Sequence, residues 1–153
     1  MKFLLKCLIY VSIIGGAAPS LAETWNCGVK TTSNNKLESQ ITPKQITINI
    51  DRNLLLANVS DSISRSLGVK RSAAEITLDQ HNKLIITWWV SFPKPVVFDL
   101  HSNISRMKYR AAIFKQKNKL ILQFSPEPYQ NRYGKPPINE RRTGSCTESG
   151  HAT

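Results

Sequence analysis

Hydrophobic and polar positions alternate with a period of two over much of this chain. Residues 45–50 read QITINI, residues 84–92 read LIITWWVSF and residues 105–114 read SRMKYRAAIF. Such alternation is typical of β-strands with one buried face, and β-branched and aromatic residues favour the same conformation. We therefore predict an all-β antiparallel meander of about eight short strands that forms a small barrel or a sandwich. A barrel of this size could be filled by side chains or hold one small ligand.

Two similar stretches predict hairpin turns. Residues 78–88 read LDQHNKLIITW and residues 114–124 read FKQKNKLILQF, each with Asn-Lys-Leu-Ile before an apolar run. Asparagine tolerates the backbone of a tight turn, so both predict a turn between antiparallel strands. Pro93 and Pro95 are predicted to end the strand after the first turn, because proline has no amide hydrogen for the ladder. Residues 31–40 predict a polar connection, and residues 60–72 a loop with room for one short helical turn.

Residues 1–22 have the organisation of a signal peptide. Lys2 and Lys6 supply positive charge before the apolar stretch CLIYVSIIGGAA. Ser20 and Ala22 match the small residues of a cleavage site. This apolar stretch is short against the roughly 20 residues of a membrane-spanning helix. We expect cleavage near Ala22 and a mature protein that is periplasmic or secreted.

Cys27 and Cys146 are the two cysteines left after that cleavage. In an exported protein such a pair most simply forms a disulfide. A redox or metal role has little support, because the chain has no Cys-x-x-Cys. Closing a loop of about 120 residues stabilises a fold by about 4–5 kcal/mol in the chain-entropy model.

The mature chain predicts a single β domain over residues 23–147. Within it, residues 125–145 combine prolines with tyrosines and basic residues, which predicts an extended, polyproline-like segment rather than a strand. Residues 148–153 are predicted to fray.

The positive charge is concentrated late in the chain. The formal net charge is +11, and Arg106–Arg142 contains ten basic and two acidic residues, against nine and seven in Glu23–Ser105. Positions 106, 108 and 110 share one face of a strand, and three lysines crowd the following turn. The predicted binding face consists of Arg106, Lys108, Arg110, Lys115, Lys117 and Lys119. It would attract anionic lipid head groups, envelope polymers or acidic proteins, although charges on an exposed strand are often only solvated.

Catalytic and nucleic-acid motifs are missing from the sequence. It has no Gly-rich phosphate loop, no His-Glu-x-x-His and no Gly-x-Ser-x-Gly. Asp99 and His101 share a strand face in FDLH and would suit a hydrolase with a nearby serine, but no spacing fixes their distances. We expect no catalytic residue, no cofactor and no metal. Export argues against a nucleic-acid partner.

Three short motifs resemble a loose group of small exported bacterial proteins, mostly of unknown function. They are ETWNCG after the expected cleavage site, PYQNRYG and TGSC; members of the group begin with Trp-x-Cys and end near Gly-x-Cys. The resemblance implies a periplasmic β domain with one terminal disulfide, and it carries over no active site. The chain is also similar in size and architecture to periplasmic lysozyme inhibitors. Lysozymes are often basic, however, so the charge of this chain argues against that target.

These observations predict a non-enzymatic binding or accessory protein of the cell envelope. Its basic face would contact an anionic surface, including the surface of a membrane, or an acidic protein. The alternative is a carrier of a small apolar ligand such as a lipid, held inside the barrel, and the third hypothesis is a hydrolase.

Overall fold

The computed structural model describes residues 22–31, 36–99, 102–127 and 140–149. It is a closed antiparallel barrel in which each strand pairs with the next and the last pairs with the first. The strands are β1 (Ala22–Val29), β2 (Gln45–Asp51), β3 (Leu56–Asp61), β4 (Ser72–Gln80), β5 (Lys83–Asp99), β6 (Ser102–Phe114), β7 (Lys119–Pro126) and β8 (Glu140–Ser149). The predicted all-β fold of eight strands is confirmed, and it takes the form of a barrel rather than a sandwich.

The connections alternate between two ends of the barrel. Short turns after β2, β4 and β6 share one end, which we name the turn end. The opposite end carries two short helices, α1 (Lys36–Ile41) and α2 (Ser62–Ser66), and we name it the helix end. Both Asn-Lys-Leu-Ile motifs start at the turn end, one at a two-residue turn and the other after a 3₁₀ turn at Lys115–Lys117. The two predicted hairpins are therefore confirmed.

Large side chains fill the barrel interior. The ring of Tyr109 stacks on Trp88 with centroids 5.3 Å apart and lies 5.8 Å from the ring of Phe124. The other large and fully buried side chains are Trp25, Ile46, Ile48, Ile50, Leu84, Ile86, Met107, Ile113 and Leu120. The described interior is therefore a core packed with large side chains.

The predicted disulfide closes the seam between the first and last strands. Cys27 and Cys146 face each other across β1 and β8 and are bonded, with both side chains buried. The bond joins residues 119 positions apart in sequence. It therefore links the first strand of the barrel to the last, the two strands that lie furthest apart in the sequence.

Strand β5 continues past the two prolines that were predicted to end it. Its pairing with β4 ends at Trp88, and its pairing with β6 is interrupted between Ser91 and Val96. Pro93 and Pro95 lie in this interruption, where the ladder requires no amide hydrogen. The prediction failed because it assumed that every residue of a strand is paired on at least one side.

Strand β8 also departs from the prediction. Residues 140–145 were predicted as polyproline-like and residues 148–149 as frayed, yet all belong to β8. Only Cys146 of this strand is buried. Pairing with both β7 and β1, together with the disulfide, keeps the residues in a strand. Residues 128–139, residues 150–153 and the predicted signal peptide before Ala22 lie outside the described residues.

The helices lie in segments predicted as connections. Helix α2 is the short helical turn expected within residues 60–72, whereas α1 occupies part of a segment predicted only as a polar connection. In the described part of the chain, no helix combines the length and hydropathy needed to span a membrane.

Candidate functional site

The outer wall of β5, β6 and β7 carries a group of cations. Alternation in β6 turns Met107 and Tyr109 into the core and leaves Arg106, Lys108 and Arg110 outside. Strand register extends the face to the neighbouring strands, because Lys83 and Lys119 both pair with Phe114 of β6. We name this face the basic wall, and it consists of Lys83, Arg106, Lys108, Arg110 and Lys119. It spans about 25 Å along the strands.

Trp89 stands at the centre of one half of the basic wall. It pairs with Lys108, and the charged groups of Arg106 and Lys108 each lie 5.5 Å from its ring centroid. Its Nε1 donates a hydrogen bond of 2.7 Å to Oε2 of Glu127, whose other oxygen lies 3.6 Å from Lys108 Nζ. These contacts hold the indole and two cations in fixed positions at a half-buried site.

The other half of the wall reaches the turn end. Arg110 Nη1 donates to Oε1 of Gln123 at 3.3 Å, and Lys83 Nζ lies 5.3 Å from the ring centroid of Phe114. Of the predicted face, the structure brings Arg106, Lys108, Arg110 and Lys119 onto this wall. Lys83 was missed, since only strand register shows that it shares the face.

The opposite wall of the barrel, formed by β1, β2 and β3, differs from the basic wall in its charge. Strands β1, β2 and β3 contain no lysine or arginine. Their outward side chains form a neutral hydrogen-bonded ladder, in which Thr24 donates to Asn49 at 3.0 Å and Thr47 donates to Asn26 at 3.1 Å. The charge of the barrel is therefore strongly one-sided.

Lys115 is in a different environment from the rest of the predicted face. Its Nζ lies 2.9 Å from Asp79 Oδ1 and 3.7 Å from Glu23 Oε1. Arg52 forms ion pairs with the same two carboxylates. We name these four residues, Glu23, Arg52, Asp79 and Lys115, the mouth cluster. Because its charges are mutually compensated, Lys115 adds little to the field of the basic wall, whereas Lys117 is exposed in the turn.

The ion pairs of the mouth cluster shift two pKa values. Partial burial raises the pKa of Asp79, but hydrogen bonds from Lys115 and Arg52 together outweigh it and hold the pKa below its ordinary value. The hydrogen bond to Glu23 is the largest influence on Arg52, and its pKa is raised. Both groups are therefore charged over the physiological pH range, and the cluster acts as a structural closure of the turn end.

The described residues show no arrangement of side chains that supports the hypothesis of a hydrolase. His81 is exposed in the turn between β4 and β5, while the side chain of Asp99 and all of His101 lie outside the described part. Among the residues that the structure describes, no three of His, Cys, Asp or Glu gather in a way that could hold a metal ion.

Comparison with protein-family models, with curated proteins and with solved structures found no match to this chain. Function is therefore inferred from charge, geometry and burial alone.

Proposed function

We propose that this protein is a non-enzymatic binding protein of the cell envelope, whose basic wall contacts an anionic surface or an acidic protein. The one-sided charge of the barrel carries the proposal. A field of one sign on one wall, with a neutral wall opposite, orients the molecule as it approaches a negatively charged partner.

The chemistry of the basic wall suits phosphate or carboxylate groups. Arginine offers a planar fork of donors and lysine a mobile ammonium, and both bind such oxygens well. Trp89 adds a large half-buried aromatic surface between Arg106 and Lys108, and tryptophan is often a dominant residue in interfaces. A disulfide between Cys27 and Cys146 is consistent with an oxidising compartment, where anionic lipids and polymers are available partners.

Binding of the oxidised mature protein to anionic and neutral vesicles, measured over a range of salt concentrations, tests the proposal. We expect binding to anionic vesicles only, and we expect it to weaken as salt rises because exposed charges are screened over about 8–10 Å at moderate ionic strength. If anionic vesicles do not bind, a lipid surface is excluded and an acidic protein should be sought by a pull-down from the envelope.

A charge-matched pair of variants distinguishes the contribution of the basic wall to binding from that of the net charge. Arg106→Glu/Lys108→Glu/Arg110→Glu reverses three charges on the basic wall, and we expect at least about a tenfold loss of affinity, or roughly 1.4 kcal/mol. The control reverses three other exposed cations near the helix end, Arg65, Lys70 and Arg71. It has the same net charge and should bind more tightly than the wall variant. An equal loss in the two variants would contradict the proposal.

A further inference from the structure

A cleft of about 830 Å³ lies at the helix end, outside the packed core. Its lining comes from the end of α1 and the segment that follows it, from α2, and from the part of β5 around the two prolines. The residues that the argument needs are Thr42, Lys44, Ile63, Leu67, Phe92 and Lys94. This volume is within the range of 300–1,000 Å³ that is common for small-molecule sites.

Hydrogen bonds fix the elements around the cleft. Tyr109, inside the barrel, donates to the carbonyl of Ile41 at 2.8 Å, and Lys44 N donates to Ser62 Oγ at 2.8 Å. The carboxylate of Asp61 caps α2 and also accepts from Trp88 Nε1 at 3.1 Å. The cleft is therefore held in place from the core, and a ligand need not order its walls on binding.

The floor of the cleft is apolar and contains one unsatisfied polar group. Phe92 is 9% exposed and Ile63 6%, and Leu67 packs against the core. Thr42 is only 1% exposed, and its Oγ1 has no hydrogen-bond partner in the described structure. A buried hydroxyl without a partner is uncommon in folded proteins, because desolvation is then uncompensated.

The charge around the cleft has one sign. Lys44 and Lys94 line it and are exposed, and the described residues of its lining include no aspartate or glutamate. Neither lysine takes part in an ion pair among the residues that the structure describes. An anionic group placed between them would therefore meet no repulsion from the lining.

We propose that this helix-end cleft binds a small amphiphile with one apolar chain and one anionic head group, a carboxylate or a phosphate monoester. The chain lies against Phe92, Ile63 and Leu67, and the head group is held by Lys44 and Lys94. The site is separate from the basic wall. It also relocates the carrier hypothesis, since the ligand binds at the barrel end and not on its axis.

Three ligands with the same alkyl chain test the charge requirement. Laurate, lauryl phosphate and lauryl alcohol are titrated below their aggregation concentrations into the oxidised mature protein, with calorimetric detection. We expect saturable binding of either or both anions at one site per chain, and at least about tenfold weaker binding of the alcohol. The stronger of the two anions identifies the source as a free fatty acid or a phosphorylated lipid. Equal binding of all three, or no saturable binding, would overturn the proposal.

Variants place the ligand in the cleft. Lys44→Ala/Lys94→Ala should weaken binding of the anion by about tenfold and leave binding of lauryl alcohol unchanged. Lys70→Ala/Arg71→Ala removes the same charge from exposed positions that do not line the cleft, and it should bind the anion like the parent protein. Equal weakening by both double variants would overturn the assignment.

Two further variants address the apolar floor and the independence of the site. Leu67→Ala should weaken binding of all three ligands, with a melting temperature recorded to show that the protein is folded. The triple variant of Arg106, Lys108 and Arg110 should keep its affinity for the anion, so failure of the basic wall as a binding surface would leave this site untouched. An anion affinity lost in that triple variant would locate the ligand on the wall and overturn the cleft assignment.

Discussion

At the scale of single residues, two turns at the same end of the barrel place different residue types in the same backbone conformation. Leu55 and Asn118 both have left-handed backbones, with φ of 54° and 49°. Asparagine adopts this conformation readily, whereas leucine is destabilised there by about 1 kcal/mol. Leu55 is also 81% exposed, between Leu54 at 65% and Leu56 at 54%. The turn after β2 therefore presents an apolar tip on a strained backbone.

Exchanging the two residue types should change stability in opposite directions. Leu55→Asn is expected to raise the free energy of unfolding by about 0.5–1 kcal/mol, because it relieves the strain and loses no packing. Asn118→Leu is expected to lower it by about 1 kcal/mol. Urea unfolding of both variants measures the effect. A loss of stability in Leu55→Asn would reveal a contact of Leu55 that outweighs the backbone strain.

Two glycines beside the disulfide offer a second matched pair. A Cβ added at Gly144 would clash with the carbonyl oxygen of Gly28 and lie 3.2 Å from Val29 Cα, whereas a Cβ at Gly28 has nothing within 4 Å. Gly144→Ala should therefore destabilise the protein by about 1–3 kcal/mol, and Gly28→Ala should not destabilise it. Thermal unfolding of the oxidised proteins gives the comparison. Equal stability of the two variants would mean that the seam between β1 and β8 can shift apart.

At the scale of elements, one buried carboxylate joins a helix to two strands. Asp61 ends β3 and is fully buried. Its Oδ1 accepts from the amides of Ile63 and Ser64, both at 2.9 Å, and its Oδ2 accepts from Ser64 Oγ at 2.7 Å and from Trp88 Nε1 of β5. Both oxygens are thus needed, one for the start of α2 and one for the contact with β5.

Replacing that carboxylate by an amide should separate the two roles. In Asp61→Asn the amide nitrogen cannot accept from Trp88 Nε1, so a buried donor loses its partner and the free energy of unfolding should fall by about 2 kcal/mol. Asp51 also caps a turn, where its Oδ1 accepts from Asn53 N and Leu54 N; among the described residues its Oδ2 accepts no hydrogen bond. Asp51→Asn should therefore lose less than about 0.5 kcal/mol in the same urea experiment. Comparable losses would show that the bond to Trp88 contributes nothing.

The strands that could be predicted are those whose inner residues are large and apolar. In β2, Ile46, Ile48 and Ile50 alternate with polar residues and are buried as the pattern indicates. Strand β8 buries only Cys146, so its sequence lacks this signal and its conformation depends on distant partners. The continuation of β5 through two prolines likewise depends on where β4 and β6 stop pairing, which no local pattern records.

The candidate site was predictable to the extent that it follows strand alternation. The period of two placed Arg106, Lys108 and Arg110 on one face. The structure adds Trp89 to that face, since it pairs with Lys108 of β6. Sequence proximity grouped Lys115 with them, yet its partners Glu23 and Asp79 are distant in the chain. The helix-end cleft was not predicted, because it is formed by three segments that meet only in the closed barrel.

At the scale of the whole molecule, the mouth cluster closes the turn end as the disulfide closes the seam. Its four side chains come from β1, from the turn after β2, from β4 and from the turn after β6. Glu23 also accepts a hydrogen bond from the indole of the buried Trp25. The cluster thereby connects two turns and two strands to the core.

The cluster should make stability depend on pH in the acid range. The pKa of Asp79 is lowered by folding, so its contribution is complete above its unfolded value of about 4 and is lost as pH falls through the folded value. Asp79→Asn should lower the free energy of unfolding by about 0.5–1 kcal/mol near neutral pH, a modest effect for partly exposed ion pairs. The difference from the parent protein should vanish in strong acid. Urea unfolding across a pH series measures it.

A double-mutant cycle tests whether the effect of Asp79→Asn arises from its ion pair with Arg52. Arg52→Gln should remove part of the stabilisation, and Asp79→Asn should then have a smaller effect in the Arg52→Gln background at neutral pH. A difference between Asp79→Asn and the parent protein that stays constant from neutral to acid pH would contradict the ion-pair explanation.

The two prolines of β5 have a consequence for the behaviour of the protein at high concentration. Beyond Trp88, β5 has no β4 neighbour, and between Ser91 and Val96 it has no registered β6 neighbour either. An open strand of this kind is a template on which a second chain can add itself, the first step towards fibrils. Pro93 and Pro95 are exposed there and offer no amide hydrogen to an incoming strand. The interruption that leaves the ladder open thus also prevents its growth from one molecule to the next.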